Sequence, residues 1–264
     1  MKNLKKQTGL ALVFLITLCS CSNENVDQVQ LQLLRKVVEV SVDGTSSTTI
    51  LSYNGNKIVS IDEFSKLSEF FYTGDLITKI VILDKTNQQS NTMQYFYADG
   101  QLIKISSSEN YAINYVHGKE GSVAYEKLIK DAQNNDVKVY HGKLHFQNGN
   151  LVKDERTLDD AGSGVLSKKS ISLDYDYKKN ALSNILGFNK LLNYSKTIST
   201  NNSINKTEVS EIKHLNTDQV ISAINVYKSK CEYDSMGYPV EIVSENFIFG
   251  GNDSNHLKSL LFYN

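Results

Sequence analysis

A chain of 264 residues with 28 basic and 29 acidic side chains is long enough for a sizeable core. It lacks the basic excess with which nucleic-acid binders neutralise phosphate. No stretch after Cys21 approaches the roughly 18 apolar residues of a membrane-spanning helix, and three cysteines, two of them near the N-terminus, are too few for a disulfide scaffold.

The chain opens with Lys2, Lys5 and Lys6 and no acid before Glu24, followed by GLALVFLITL from Gly9 to Leu18. About ten apolar residues fall short of the ~20 that cross a bilayer as a helix. A basic flank, a short apolar core and small residues after it form a secretory signal. Leu18, Cys19, Ser20 and Cys21 follow. This run resembles the lipobox of bacterial lipoproteins: an aliphatic residue, two small residues, then the cysteine that is modified. The resemblance implies cleavage between Ser20 and Cys21, diacylation of the Cys21 sulfur and acylation of the new amine. Each buried methylene contributes about 0.8 kcal/mol, and stable anchoring needs more than one chain, which a triacylated Cys21 would supply. The membrane is then a partner through the lipid on Cys21. Cys19 leaves with the signal, so Cys231 is the one thiol remaining in the folded part, read as a small strand residue. Removing residues 1–20 takes three lysines and no acid, leaving 25 basic against 29 acidic residues. Residues 21–35 read as a polar tether and 36–264 as a β-rich domain.

That domain repeats one phrase: an aromatic residue, a glycine-bearing turn, then aliphatics. It occurs as YNGNKIVSI (Tyr53–Ile61), FYTGDLITKIVI (Phe71–Ile82), YFYADGQLIKI (Tyr95–Ile105), YVHGKEGSVAY (Tyr115–Tyr125), LHFQNGNLVKD (Leu144–Asp154) and CEYDSMGYPVEIV (Cys231–Val243). YDYKKNALSNI (Tyr175–Ile185) keeps the spacing with Asn180 in place of glycine. Glycine permits the positive φ of a tight hairpin. Strict alternation after the turn puts Leu102 and Lys104 on one face, Ile103 and Ile105 on the other. The turn glycines Gly55, Gly74, Gly100 and Gly118 are 19, 26 and 18 residues apart, which fits hairpins of variable length better than a solenoid. The expected fold is all-β: a twisted antiparallel meander of repeated hairpins, curled as far as an open or half barrel, with at most one or two short helices. Ala181–Leu192 has near-helical apolar spacing and is expected to form one or two helical turns. Tyr194–Lys206, rich in Asn and Ser, reads as a loop.

The phrase resembles the tyrosine-aspartate (YD) repeats of Rhs-type bacterial surface proteins. Tyr233, Asp234, Gly237 and Pro239 match best, and Tyr97, Asp99, Gly100 and Leu102 match with altered spacing. The usual arginine is absent. Over most of its length the chain resembles a group of uncharacterised Bacteroidetes lipoproteins with a domain of unknown function. In these, YDYKKNALSNILGFNKLL (Tyr175–Leu192) and a late YDSMGYPVEI-like strand recur together. That resemblance implies a β-rich lipoprotein and carries no catalytic residues.

Residue by residue, the chemistry is sparse. His141 and His145 lie on one expected strand, roughly 13 Å apart, too far to share a metal ion. DAQNND (Asp131–Asp136) lacks the central glycine of a calcium loop and has Gly142 at the twelfth position. Asp159 and Asp160 are adjacent and would face opposite ways on a strand, and Gly162–Gly164 is out of frame for a nucleophile elbow. No metal, cofactor or catalytic residue is expected. The tyrosines remain, either as cross-strand packing or as a binding face formed by Tyr95, Tyr97, Tyr115, Tyr175 and Tyr177. With no tryptophan in the chain, sugar stacking would fall to tyrosine. The expected function is a non-catalytic binding or structural module at the outer membrane, on its periplasmic or surface-exposed side, with a protein, glycan or lipid ligand and no nucleic acid. One alternative is a carrier holding a lipid or other hydrophobic ligand in a curled sheet; another is an envelope hydrolase with a site the sequence does not reveal.

Overall fold

The computed structural model describes residues 31–159, 164–194, 198–248 and 255–264. Cys19, Ser20, Cys21, Asp160, Gly162 and Ser163 lie outside them. The first eight strands are β1 (Leu34–Ser41), β2 (Ser46–Asn54), β3 (Lys57–Asp62), β4 (Lys66–Thr73), β5 (Leu76–Asp84), β6 (Ser90–Ala98), β7 (Gln101–Ser107) and β8 (Tyr111–His117). The rest are β9 (Ser122–Lys130), β10 (Asp136–Gln147), β11 (Asn150–Leu158), β12 (Val165–Lys179), β13 (Asn201–His214), β14 (Val220–Tyr233), β15 (Pro239–Ile248) and β16 (Asn255–Tyr263). Each pairs antiparallel with the next, and β16 pairs back onto β1 through Val37↔Leu261 and its neighbours. The meander therefore closes into a barrel of sixteen strands rather than stopping at an open or half barrel. Closure removes the two unpaired edges that an open sheet would expose.

The repeated phrase builds one end of this barrel. In five hairpins the ladder slips by one residue beside the turn, opposite Tyr53, Tyr72, Tyr97, Phe146 and Tyr233. The extra residue is a β-bulge, which interrupts the two-residue alternation. Leu102 and Ile105 are therefore both buried, and Ile103 and Lys104 are both exposed. This corrects the strict alternation expected there. The same shift buries Ile77 together with Ile80.

The phrase's aromatic residue also has a polar task. Tyr97 donates its hydroxyl to the carbonyl of Ile77 at 2.8 Å, Tyr53 to Leu34 at 2.7 Å, Tyr175 to Leu151 at 2.7 Å and Tyr263 to Pro239 at 2.8 Å. Ile77, Leu151 and Pro239 are each the first or second residue of the return strand in the neighbouring hairpin, and Leu34 is the first residue of β1. His117 takes this place in its own hairpin, with Nε2 2.8 Å from the carbonyl of Leu102. A carbonyl only accepts, so Nε2 carries the proton. Tyr72 instead accepts from the Ile58 amide and donates to the carbonyl of Leu186.

Leu186 belongs to the connection from β12 to β13, whose described residues, 180–194 and 198–200, lie across this end. YDYKKN does not turn back as a tight hairpin, because Lys179 pairs with Asn201. The expected helix reduces to a single 3₁₀ turn at Phe188–Lys190. Phe188, Leu191, Ile185 and Ile198 are buried in the core, and Phe188 packs on Phe70 and Tyr194 at 6.1 and 5.7 Å. Gly187 has φ 71°, and a Cβ there would lie 2.5 Å from the carbonyl oxygen of Asp75, so glycine is required. Leu186 N–H donates to Asn56 O, Asn184 to Gln32 O and Tyr238, and Asn193 to Tyr95. These partners come from hairpins all around the barrel, so the connection plugs its end. The Asn/Ser-rich stretch expected to be loop as far as Lys206 is strand from Asn201 onward, because its backbone pairs with β12.

Directly opposed residues share a face, so the register sorts inside from outside. The core residues Leu51, Ile58, Phe70, Ile77, Ile80, Tyr95, Leu102, Ile105 and Leu144 point inward. The outward row across β6 to β14 reads Phe96, Lys104, Asn114, Glu126, His141, Thr157, Lys168, Glu211 and Ser222. Where the barrel closes, the outward row is Phe262, Lys36, Ile50, Asp62 and Leu67.

Candidate functional site in the lumen

Beyond the plug, the inner wall changes character at β8 to β13. Tyr115 on β8 opposes Tyr125 on β9, with ring centroids 6.3 Å apart. The next residue in that row is Gly142 on β10. A Cβ at Gly142 would sit 2.5 Å from both the Cζ and the hydroxyl of Tyr125. Its absence lets the Tyr125 ring cross β10 and reach β11.

There the Tyr125 hydroxyl donates to Asp154 Oδ1 at 2.5 Å and accepts from Arg156 Nε at 3.1 Å. Asp154 is buried. Burial, and then the hydrogen bond to Asp154, push the Tyr125 phenol well above its ordinary value. The Arg156 guanidinium stacks over Tyr140, 4.4 Å from the ring centroid, with Nη2 3.8 Å from Asp154 Oδ2. These groups, with Ile113, Leu144 and two plug residues, Leu192 and Asn193, line a cavity of about 100 Å³.

Lys169 on β12 directly opposes Arg156 and reaches Glu208 on β13 at 2.5 Å. Lys206 lies 3.6 Å from Glu208 and 3.8 Å from the Tyr227 ring centroid. Burial opposes the charge on Glu208, but the two lysines hold its carboxyl below the usual value. Lys127 sits 4.0 Å over Tyr111. This wall thus sets Lys127, Arg156, Lys169 and Lys206 against Asp154 and Glu208. Four cations against two carboxylates give this stretch of wall a positive excess, and a recessed wall of one sign favours counter-ions.

Of the five tyrosines expected to form a binding face, Tyr97 and Tyr115 come within electrostatic reach of Tyr95, but the five form no common exposed face. Tyr95 and Tyr115 are buried, Tyr97 and Tyr175 spend their hydroxyls on neighbouring backbone, and Tyr177 is 88% exposed. Only Tyr115 lines the lumen cavity. His141 and His145 have separate acidic partners, Asp159 at 2.6 Å and Glu155 at 3.2 Å. Among the described residues no group of three or more His, Cys, Asp or Glu could hold a metal ion. Cys231 is half-buried, and burial pushes its thiol up. Sequence reasoning missed Arg156, Asp154, Lys169 and Gly142. One signal was present: Arg156 is one of two arginines among 28 basic residues, where a planar guanidinium differs from an ammonium.

No protein-family model matches the chain, and no curated protein matches it. Among solved structures, a porin-like protein from Bacteroides vulgatus ATCC 8482 is similar at a TM-score of 0.56 and 15% identity, covering 89% of this chain and 99% of that one. The likeness is one of fold. A porin-like protein from Bacteroides uniformis ATCC 8492 aligns at a TM-score of 0.34 and 9% identity over 88% of this chain and 98% of its own.

Proposed function

We propose that the chain is a lipid-anchored envelope protein whose barrel stands in water as a non-catalytic binding module, held at the outer membrane by acyl chains on Cys21. The observation that carries this reading is the sorting of side chains. A bilayer-spanning barrel shows an apolar band about 25 Å tall to lipid, and a Lys or Arg at the midplane of that band costs about 2–4 kcal/mol. Here the outward rows carry Lys36, Lys104, Glu126, Lys168 and Glu211 among Phe96, Phe262, Ile50 and Leu67, so charges interrupt the apolar surface, while the buried core residues face in. The plug across one end speaks against a channel. Charged groups in the lumen wall count against a carrier for a wholly apolar lipid. The resemblance to Bacteroidetes lipoproteins agrees with the anchor.

The anchor is tested by substituting each early cysteine. Cys21→Ala is expected to abolish labelling by radioactive palmitate and to release the protein from the membrane fraction, whereas Cys19→Ala leaves both unchanged. Labelling that persists in Cys21→Ala would overturn the anchor.

A further inference from the structure

On the reading of the barrel as a water-facing binding module, we propose that its lumen binds a small amphiphilic organic anion, a carboxylate bearing a short apolar chain, with the head group inward against Arg156 and Lys169. Two adjacent inward rows support this assignment. The deeper row runs Tyr125, Gly142, Arg156, Lys169, Ser210 and Ala223. The next row toward the unplugged end includes Leu158, Ile212 and Ile221, connected through Ser167.

In the deeper row, Arg156 uses Nε on Tyr125 and its ring-facing surface on Tyr140. Among the described residues no acceptor lies within hydrogen-bond distance of its Nη atoms, the nearest carboxylate oxygen being Asp154 Oδ2 at 3.8 Å. The Arg156 side chain is nonetheless 40% exposed, so these donors meet the solvent of the lumen. The Tyr125 hydroxyl and the Tyr140 ring hold the guanidinium in place, which pre-organises it for a carboxylate. Lys169, its cross-strand neighbour, is paired with Glu208 at 2.5 Å, which Lys206 also approaches at 3.6 Å; the two lysines share one carboxylate, so a positive excess remains beside Arg156 for an anion.

In the row above, Leu158, Ile212 and Ile221 face the lumen but remain 43%, 42% and 53% exposed. Inward aliphatic groups left open to water are a surface awaiting an apolar occupant. The two rows are two residues apart along each strand, about 7 Å. A carboxylate on Arg156 would therefore lay its first methylenes against Leu158 and Ile212. Neither a neutral lipid nor a sugar acid would use both rows.

The barrel closes through β1 and β16 and draws its core from its own residues, so residues 22–264 serve without lipid or detergent. Titration calorimetry with octanoate, 1-octanol and glucuronate separates head from tail. Octanoate is expected to bind saturably at one site, with 1-octanol and glucuronate at least tenfold weaker. Arg156→Gln and Lys169→Gln should each weaken octanoate at least tenfold, with the circular dichroism spectrum unchanged. Lys168→Gln, which faces outward, should leave binding intact. Should Arg156→Gln misfold, Lys169→Gln decides. Equal binding of octanoate and 1-octanol, no saturable octanoate binding, or wild-type affinity in the lumen variants would overturn the proposal. A chain that requires detergent would overturn the water-facing reading instead, a separate readout.

Discussion

Tyrosine does more in this molecule than fill space. Its ring lies in the wall and its hydroxyl closes a backbone carbonyl of the next hairpin, a bond contributing about 0.5–1.5 kcal/mol. Burial pushes the phenols of Tyr72 and Tyr194 up to about 12 from an ordinary 10.0, and those of Tyr53, Tyr95, Tyr97, Tyr115 and Tyr263 higher still. The folded state thus keeps these groups neutral at a pH where the unfolded chain has already released their protons. The resulting stability is fully present below pH 10 and is lost as pH rises through the folded values. A joint titration of tyrosinate absorbance and circular dichroism should show the buried tyrosines ionising only as the β spectrum collapses. Their ionisation near pH 10 in an intact barrel would contradict this. At this scale the sequence was partly legible: the tyrosine-and-glycine phrase was visible, but its acceptors were not. The contacts among Tyr125, Asp154 and Arg156 join residues 29 and 31 apart, and only the strand register brings them to one face.

The hairpins are the most legible elements, because turn glycines and flanking aliphatics are local signals. Their bulges are less so. The shift that buries Leu102 with Ile105 depends on how the two strands meet, and strict alternation gives the wrong inward partner. The plug was harder again. ALSNILGFNKLL carries helical spacing, yet its apolar residues bury themselves against hairpin turns instead of along one helical face. Phe188 is the centre of that packing, at 1% exposed. Phe188→Ala should destabilise the barrel by about 3–5 kcal/mol in urea unfolding. Tyr177→Ala, at a fully solvated position, should change it by less than about 0.5 kcal/mol. A Phe188→Ala variant as stable as the parent would mean that the 180–200 connection is an ornament rather than a plug.

For the whole molecule, an open meander and a closed barrel share the same local pattern. What separates them is whether Leu34 meets Tyr263, a pairing across nearly the full length of the domain that leaves no short-range trace. Closure also gives each strand a definite inside and outside: the buried core and the Arg156–Lys169 wall lie inside, and the outside mixes Lys and Glu with Ile50, Leu67, Phe96 and Phe262. The likeness to a porin-like barrel concerns how the strands are connected, and the charges among its outward rows are what support the proposal of a water-facing barrel. Sedimentation velocity of residues 22–264 in detergent-free buffer tests this most directly. A water-facing barrel should give a single soluble species with a β-sheet circular dichroism spectrum. A chain that pellets, or stays folded only in detergent or lipid, would contradict it.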